Sequence, residues 1–122
     1  MRKVLIINGN PQYTKLFANA GWVVTNDVKQ ILDCNLVCFT GGEDVSPSYY
    51  GEKHHPQTYS NIVRDEYERQ YFLIAVENDI PCVGICRGGQ FLNVLNGGKM
   101  YQHVSSHCQS HEINILDWEY KE

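Results

Sequence analysis

The chain has no run of basic residues. Fourteen acids against ten bases leave a net charge of −4 over 122 residues. Phosphate backbones are bound by clustered Lys and Arg, so nucleic acid is not an expected partner. Long hydrophobic runs are also missing. The longest early one, Val4-Leu5-Ile6-Ile7, falls short of the roughly 7–15 residues of a signal-peptide core and the ~20 that span a bilayer. No membrane association and a cytoplasmic location are expected. Cysteine is present five times, an odd number, without a C-x-x-C pair or a paired zinc spacing. Reduced thiols are expected rather than a disulfide framework. No nucleotide-binding glycine motif is seen, and no cofactor or metal is expected.

What is present has the make-up of one domain over residues 1–122. Apolar residues form 43% of the chain and charged residues 20%, ordinary values for a globular core with a solvated surface. Short apolar runs at 3–7, 22–25, 36–39 and 80–85 read as strands. Helical patterns lie at 14–20, 27–32, 64–78 and 90–95. Tyr67, Tyr71, Phe72, Ile74 and Ala75 form the expected apolar face of the third. Residues 43–62 carry two prolines and little periodicity, the signature of a long surface loop. Strands alternating with helices predict an α/β fold with a mainly parallel sheet covered on both faces. Ligands in such sheets sit at the carboxyl ends of the strands. Two glycine-bearing loops, at Gly41-Gly42 and at Cys86, follow apolar strands directly.

Val83-Gly84-Ile85-Cys86-Arg87-Gly88 reads as strand, then G-x-C-x-G, then helix. A sharp strand-to-helix turn exposes its central side chain and needs small flanking residues. At a helix N-terminus a thiol meets a positive dipole that favours the thiolate, and the first amides of the helix can face a developing oxyanion. Cys86 is therefore the candidate nucleophile. His103, His107 and His111 recur every four residues beside Cys108. Val104-Ser105-Ser106 and Ile113-Asn114-Ile115 favour loop and strand there, which argues against a zinc face on a helix.

The stretch from Phe39 through Gly41-Gly42-Glu43-Asp44-Val45-Ser46-Pro47 to Tyr50-Gly51-Glu52 resembles the G-G-x-D-V-x-P…Y-G-E pattern of the γ-glutamyl hydrolase branch (peptidase C26) of class I glutamine amidotransferases. Arg64-Asp65 with Glu68 is similar to that branch's R-D-x-x-E helix. Gly84 to Gln90, Asn93, Gly97-Gly98 and Tyr101-Gln102 are similar to its G-I-C-R-G-x-Q…N…G-G…Y-Q run. The resemblance covers about residues 36–104. It implies a flavodoxin-like three-layer α/β/α fold and a Cys-His-Glu triad that cleaves glutamine or a γ-glutamyl amide through a thioester. Carried over by residue, Cys86 is the nucleophile, and the backbone N–H groups of Gly42 and Arg87 form the oxyanion hole. Gln90, Glu43 and Asp44 serve the substrate, while Arg64, Asp65 and Glu68 brace their helix.

The family's catalytic His and Glu lie in a downstream segment resembling S-x-H-H-Q, which this sequence lacks. A fold truncated at its C-terminus is the resulting expectation. An unpaired thiol lacks the base and the acid its chemistry needs. His111 beside Glu112 is the candidate substitute, although strand neighbours point to opposite faces. His54 and His55 read as solvated loop residues. Two other readings stand beside catalysis: an inactive binding or regulatory module, or one half of a split enzyme. With downstream strands missing, part of the sheet should be exposed, so a homo-oligomer or a covering partner chain is expected.

Overall fold

A computed structural model describes residues 1–55, 58–100 and 102. Its sheet has four strands: β1 (Lys3–Ile7), β2 (Val23–Thr25), β3 (Leu36–Phe39) and β4 (Cys82–Gly84). They lie in the order β2-β1-β3-β4, and every pairing is parallel. Three α-helices connect or follow them: α1 (Pro11–Asn19), α2 (Ile62–Glu77) and α3 (Arg87–Leu95). The fold is flavodoxin-like α/β, as the resemblance implies.

Period-two alternation distributes the core. Val4, Ile6 and Cys38 face one side and pack on Tyr13 and Phe17 of α1 together with Trp22. Leu5, Ile7, Val37 and Phe39 face the other, where Phe72 and Ala75 of α2 and Phe91 and Val94 of α3 cover them. Phe39 is the centre of that side, with ring centroids 5.6 Å from Phe91 and 6.4 Å from Phe72. Because β1 feeds β2 on one flank and β3 lies on its other flank, the β1 and β3 ends open side by side. That is the switch point where such sheets bind ligands.

The structure departs from the sequence expectation at several places. Helix α1 starts at Pro11 rather than 14, because Asn10 caps it through Oδ1 to the Gln12 N–H (2.9 Å) and Pro11 takes the first helical position. The same Asn-Gly-Asn-Pro string thus ends β1 and begins α1. Val28–Asp33 is a 3₁₀ helix capped by Asp27, not an α-helical turn. The loop after β3 contains a 3₁₀ turn at Pro47–Tyr50. Strand β4 is shorter than expected and Val83 is 37% exposed, since no described residue covers that outer edge. The inward stripe of α2 is Asp65, Glu68, Phe72 and Ala75, whereas Tyr67 is 39% exposed. Two carboxylates occupy the place expected for aromatic packing. No helix among the described residues is long and apolar enough to cross a membrane.

Candidate active site

Strand β4 runs through Gly84 and Ile85 into Cys86, whose backbone (φ 54°, ψ −121°) lies in a region that side-chain-bearing residues rarely occupy. Helix α3 starts at the next residue. A Cβ at Gly84 would overlap the backbone of Gly88, and one at Gly88 would overlap the Phe39 carbonyl. Glycine at both positions therefore lets α3 seat directly on the ends of β3 and β4. The turn is fastened by Ile85 N–H to Phe39 O and by Gly89 N–H to Cys86 O, each 3.0 Å. The Cys86 side chain projects into solvent. As the first residue of α3, Arg87 keeps a backbone N–H with no acceptor among the described residues.

The β3 loop meets this turn. Thr40 Oγ1 donates to Ile7 O (2.7 Å), tying the ends of β1 and β3 together. The Gly41 N–H donates to Tyr13 Oη (2.9 Å), while the Gly42 N–H finds no acceptor among the described residues. Gly41 lies against the Cys86 turn, for a Cβ there would stand 3.5 Å from Cys86 Cβ.

Behind both loops is a buried charge cluster. Glu68 is fully buried and accepts from Arg64 Nε (2.6 Å), Arg87 Nη1 (2.6 Å) and Asn8 Nδ2 (2.8 Å). Asp65, also buried, accepts from Arg87 Nη2 and from the N–H and hydroxyl of Ser46. Arg64 extends from Glu68 to Gly41 O (2.9 Å) and to Glu43 (3.4 Å). Two carboxylates and two guanidiniums balance in charge, which is what allows them to be buried. One helical turn of α2 thereby grips the loops after β1, β3 and β4.

A family model for peptidase C26 matches residues 22–120. The chain belongs to the peptidase C26 family. It is 41% identical over 83 residues to the glutamine amidotransferase-like YvdE homolog of Lactococcus lactis subsp. cremoris, a match covering 66% of this chain and 44% of that protein. It is 36% identical over 85 residues to a glutamine amidotransferase-like protein of Rickettsia prowazekii, covering 69% and 30%. The matched stretch thus spans less than half the length of either relative.

Of the residues singled out for this C26 chain, Cys86 and Arg87 lie on the turn after β4 and Gly42 on the glycine loop after β3, both at the carboxyl end of the sheet. Gln90 is exposed one turn along α3. Glu43 sits at the rim, where its own backbone N–H and the Arg64 guanidinium hold its carboxyl below the usual range. Asp44 accepts from the Tyr59 N–H (3.1 Å) and so pins the far end of the long loop. His54 is exposed beside Ser60 (3.4 Å). His111, Glu112, His103, His107 and Cys108 lie outside the described residues. Burial pushes the Cys38 and Cys82 thiols up to about 11 and raises Cys34.

The sequence reading did not foresee that Arg87 turns its side chain inward, or that Arg64 reaches across to the glycine loop. The available signal was the i, i+3 spacing of Asp65 and Glu68 on a helix, with an arginine following Cys86. Gln102 was likewise only a motif match. It accepts from the His55 N–H (2.7 Å) and Thr58 Oγ1 (2.8 Å) and donates to Lys53 O (2.7 Å), closing the base of the loop.

Proposed function

We propose that Cys86 is the nucleophile of a cysteine-dependent amidohydrolase acting on glutamine or a γ-glutamyl amide. The observation that carries this is the exposed thiol on a strained turn beside the Gly41-Gly42 loop, with the backbone N–H groups of Gly42 and Arg87 having no acceptor among the described residues. Unspent donors beside a nucleophile are what an oxyanion site requires. The Cys86 thiolate attacks the γ-carbonyl carbon, a C–S bond forms, and the carbonyl electron pair moves onto oxygen, an oxyanion to which the two N–H groups donate hydrogen bonds. Collapse breaks the C–N bond, the amine leaves with a proton, and a γ-glutamyl thioester remains. Water then attacks the thioester, releasing the γ-carboxylate and restoring the thiol.

Gln90 on α3, with Glu43 and Asp44 on the loop after the glycine pair, is assigned to holding the substrate. A histidine is assigned to take the thiol proton and return it to the leaving amine, a function worth about 10²–10⁴-fold in rate. His111 is the candidate on this chain, and a histidine on a partner chain is the alternative. The exposed edge at β4 supports a second copy or a partner chain covering the sheet. A cytoplasmic setting suits the free thiols of the described residues.

Intact mass after incubation with a γ-glutamyl chloromethyl ketone at neutral pH tests the reading, beside a Cys86→Ala control. One adduct that disappears in the control is the expected result. No adduct, or adducts spread over all five cysteines, overturns it in favour of a binding or regulatory module.

A further inference from the structure

The carbonyl of Gly41 and the N–H of Gly42 belong to one peptide unit. The described residues contain no cis peptide bond. In a trans unit the C=O and the N–H point in opposite directions, so whatever holds one aims the other. Arg64 Nη2 lies 2.9 Å from Gly41 O, with Thr40 Oγ1 at 3.3 Å and Thr40 O at 3.4 Å. The guanidinium also fills the space behind Gly42, where a Cβ would overlap Nη1. The Gly42 N–H therefore faces away from Arg64. Gly41 adjoins Cys86, and its own N–H is already taken by Tyr13.

We infer that Arg64 is a positioning residue for the oxyanion site: its grip on the Gly41 carbonyl keeps the Gly42 N–H turned toward Cys86. This rests on the reading of Cys86 as nucleophile. Two consecutive glycines rotate readily, Gly42 standing at φ +149°. Rotation of their shared peptide would put a carbonyl oxygen where the donor should be, so the developing negative charge would meet a lone pair. A fork-shaped donor suits the task, because Nη2 reaches the carbonyl while Nε stays 2.6 Å from Glu68. The same carboxylate takes Arg87 Nη1 at 2.6 Å. Both proposed oxyanion donors, Gly42 N–H and Arg87 N–H, are thereby referred to one buried anchor on α2.

The test compares two reagents on the wild-type chain and on Arg64→Lys and Arg64→Gln. A γ-glutamyl chloromethyl ketone places its carbonyl oxygen in the oxyanion site, whereas iodoacetamide reacts at saturated carbon and needs no such site. Lysine keeps a cation beside Glu68 but cannot reach the carbonyl and Glu68 together, so its fold, checked by thermal midpoint, stays close to wild type. In Arg64→Lys the ketone is expected to label Cys86 about 10²-fold more slowly, with iodoacetamide within about twofold of wild type. Arg64→Gln should behave alike if it folds; if it does not, the lysine variant decides. An unchanged ratio of the two rates, or equal slowing by both reagents, overturns the positioning role while leaving the nucleophile reading intact. A wild-type chain that the ketone does not label at Cys86 overturns that reading and this inference with it.

Discussion

Arg87 follows the exposed Cys86 directly, yet its guanidinium is buried with Nη1 2.6 Å from Glu68 Oε1 on α2. The residue thus serves two sides of the turn, its backbone amide opening α3 next to Cys86 and its side chain bracing the helix behind. The guanidinium carbon lies 4.5 Å from the Phe91 ring centroid. Its Nε is buried without a hydrogen-bond partner among the described residues, where the arginine is held by its two Nη groups and by stacking.

Removal of the shared carboxylate tests how far this brace supports the fold. Glu68→Gln leaves two guanidiniums facing one remaining buried carboxylate, and loss of one partner from a buried ion pair costs about 3–5 kcal/mol. Urea unfolding should show a clearly lowered midpoint. A loss of under about 1 kcal/mol, the worth of an exposed pair, would mean the cluster is not what holds these loops.

Two neighbouring glycines should respond in opposite ways to alanine. At Gly88 a Cβ would run into the Phe39 carbonyl, so Gly88→Ala must push α3 off the sheet and lower the thermal midpoint. At Gly89 the nearest atom, Gly84 O, is at 3.5 Å, an ordinary contact. Gly89→Ala should be tolerated, with a gain of about 0.5–1 kcal/mol from helix propensity. Equal effects at the two positions would contradict the close packing of this turn.

The strained backbone of Cys86 predicts a trade of stability against reactivity. At φ 54° and ψ −121° glycine is at ease and a Cβ is not. Cys86→Gly should raise stability by about 1–2 kcal/mol while abolishing labelling by a γ-glutamyl electrophile. A variant less stable than wild type in chemical unfolding would show that the turn is unstrained.

Alkaline pH should destabilise the fold through Cys38. Burial pushes its thiol from 9.0 to about 11, so between those values the unfolded chain has given up a proton that the folded chain keeps. Stability is complete below pH 9 and falls as pH rises toward 11, by up to about 3 kcal/mol from this residue. Thermal midpoints measured across pH 8–11 should decline, and Cys38→Val should make the decline shallower, with Cys82 still contributing to it.

Local pattern in the sequence was enough for the strand cores, the alternation of strands with helices, and the elbow around Cys86. Apolar runs such as Val4 to Ile7 have few other places to go, and G-x-C-x-G carries its steric reason in the glycines. The motif strings also sufficed for membership of the peptidase C26 family. Element ends were less legible. Asn10-Pro11 serves as both turn and helix start, and nothing in the string ranks one above the other.

The long-range charges were decided by tertiary structure alone. Arg64, Asp65 and Glu68 look like ordinary solvated helix residues, since charge in a sequence carries no mark of burial. Only when α2 packs over the ends of β1, β3 and β4 do Asn8, Gly41, Ser46 and Arg87 arrive as partners. Each of those partners is remote in sequence, so the burial of the charges and the direction of the Gly42 amide are properties of the folded arrangement. The turn at Cys86 is written in adjacent residues; the aim of the groups around it depends on contacts that only folding makes.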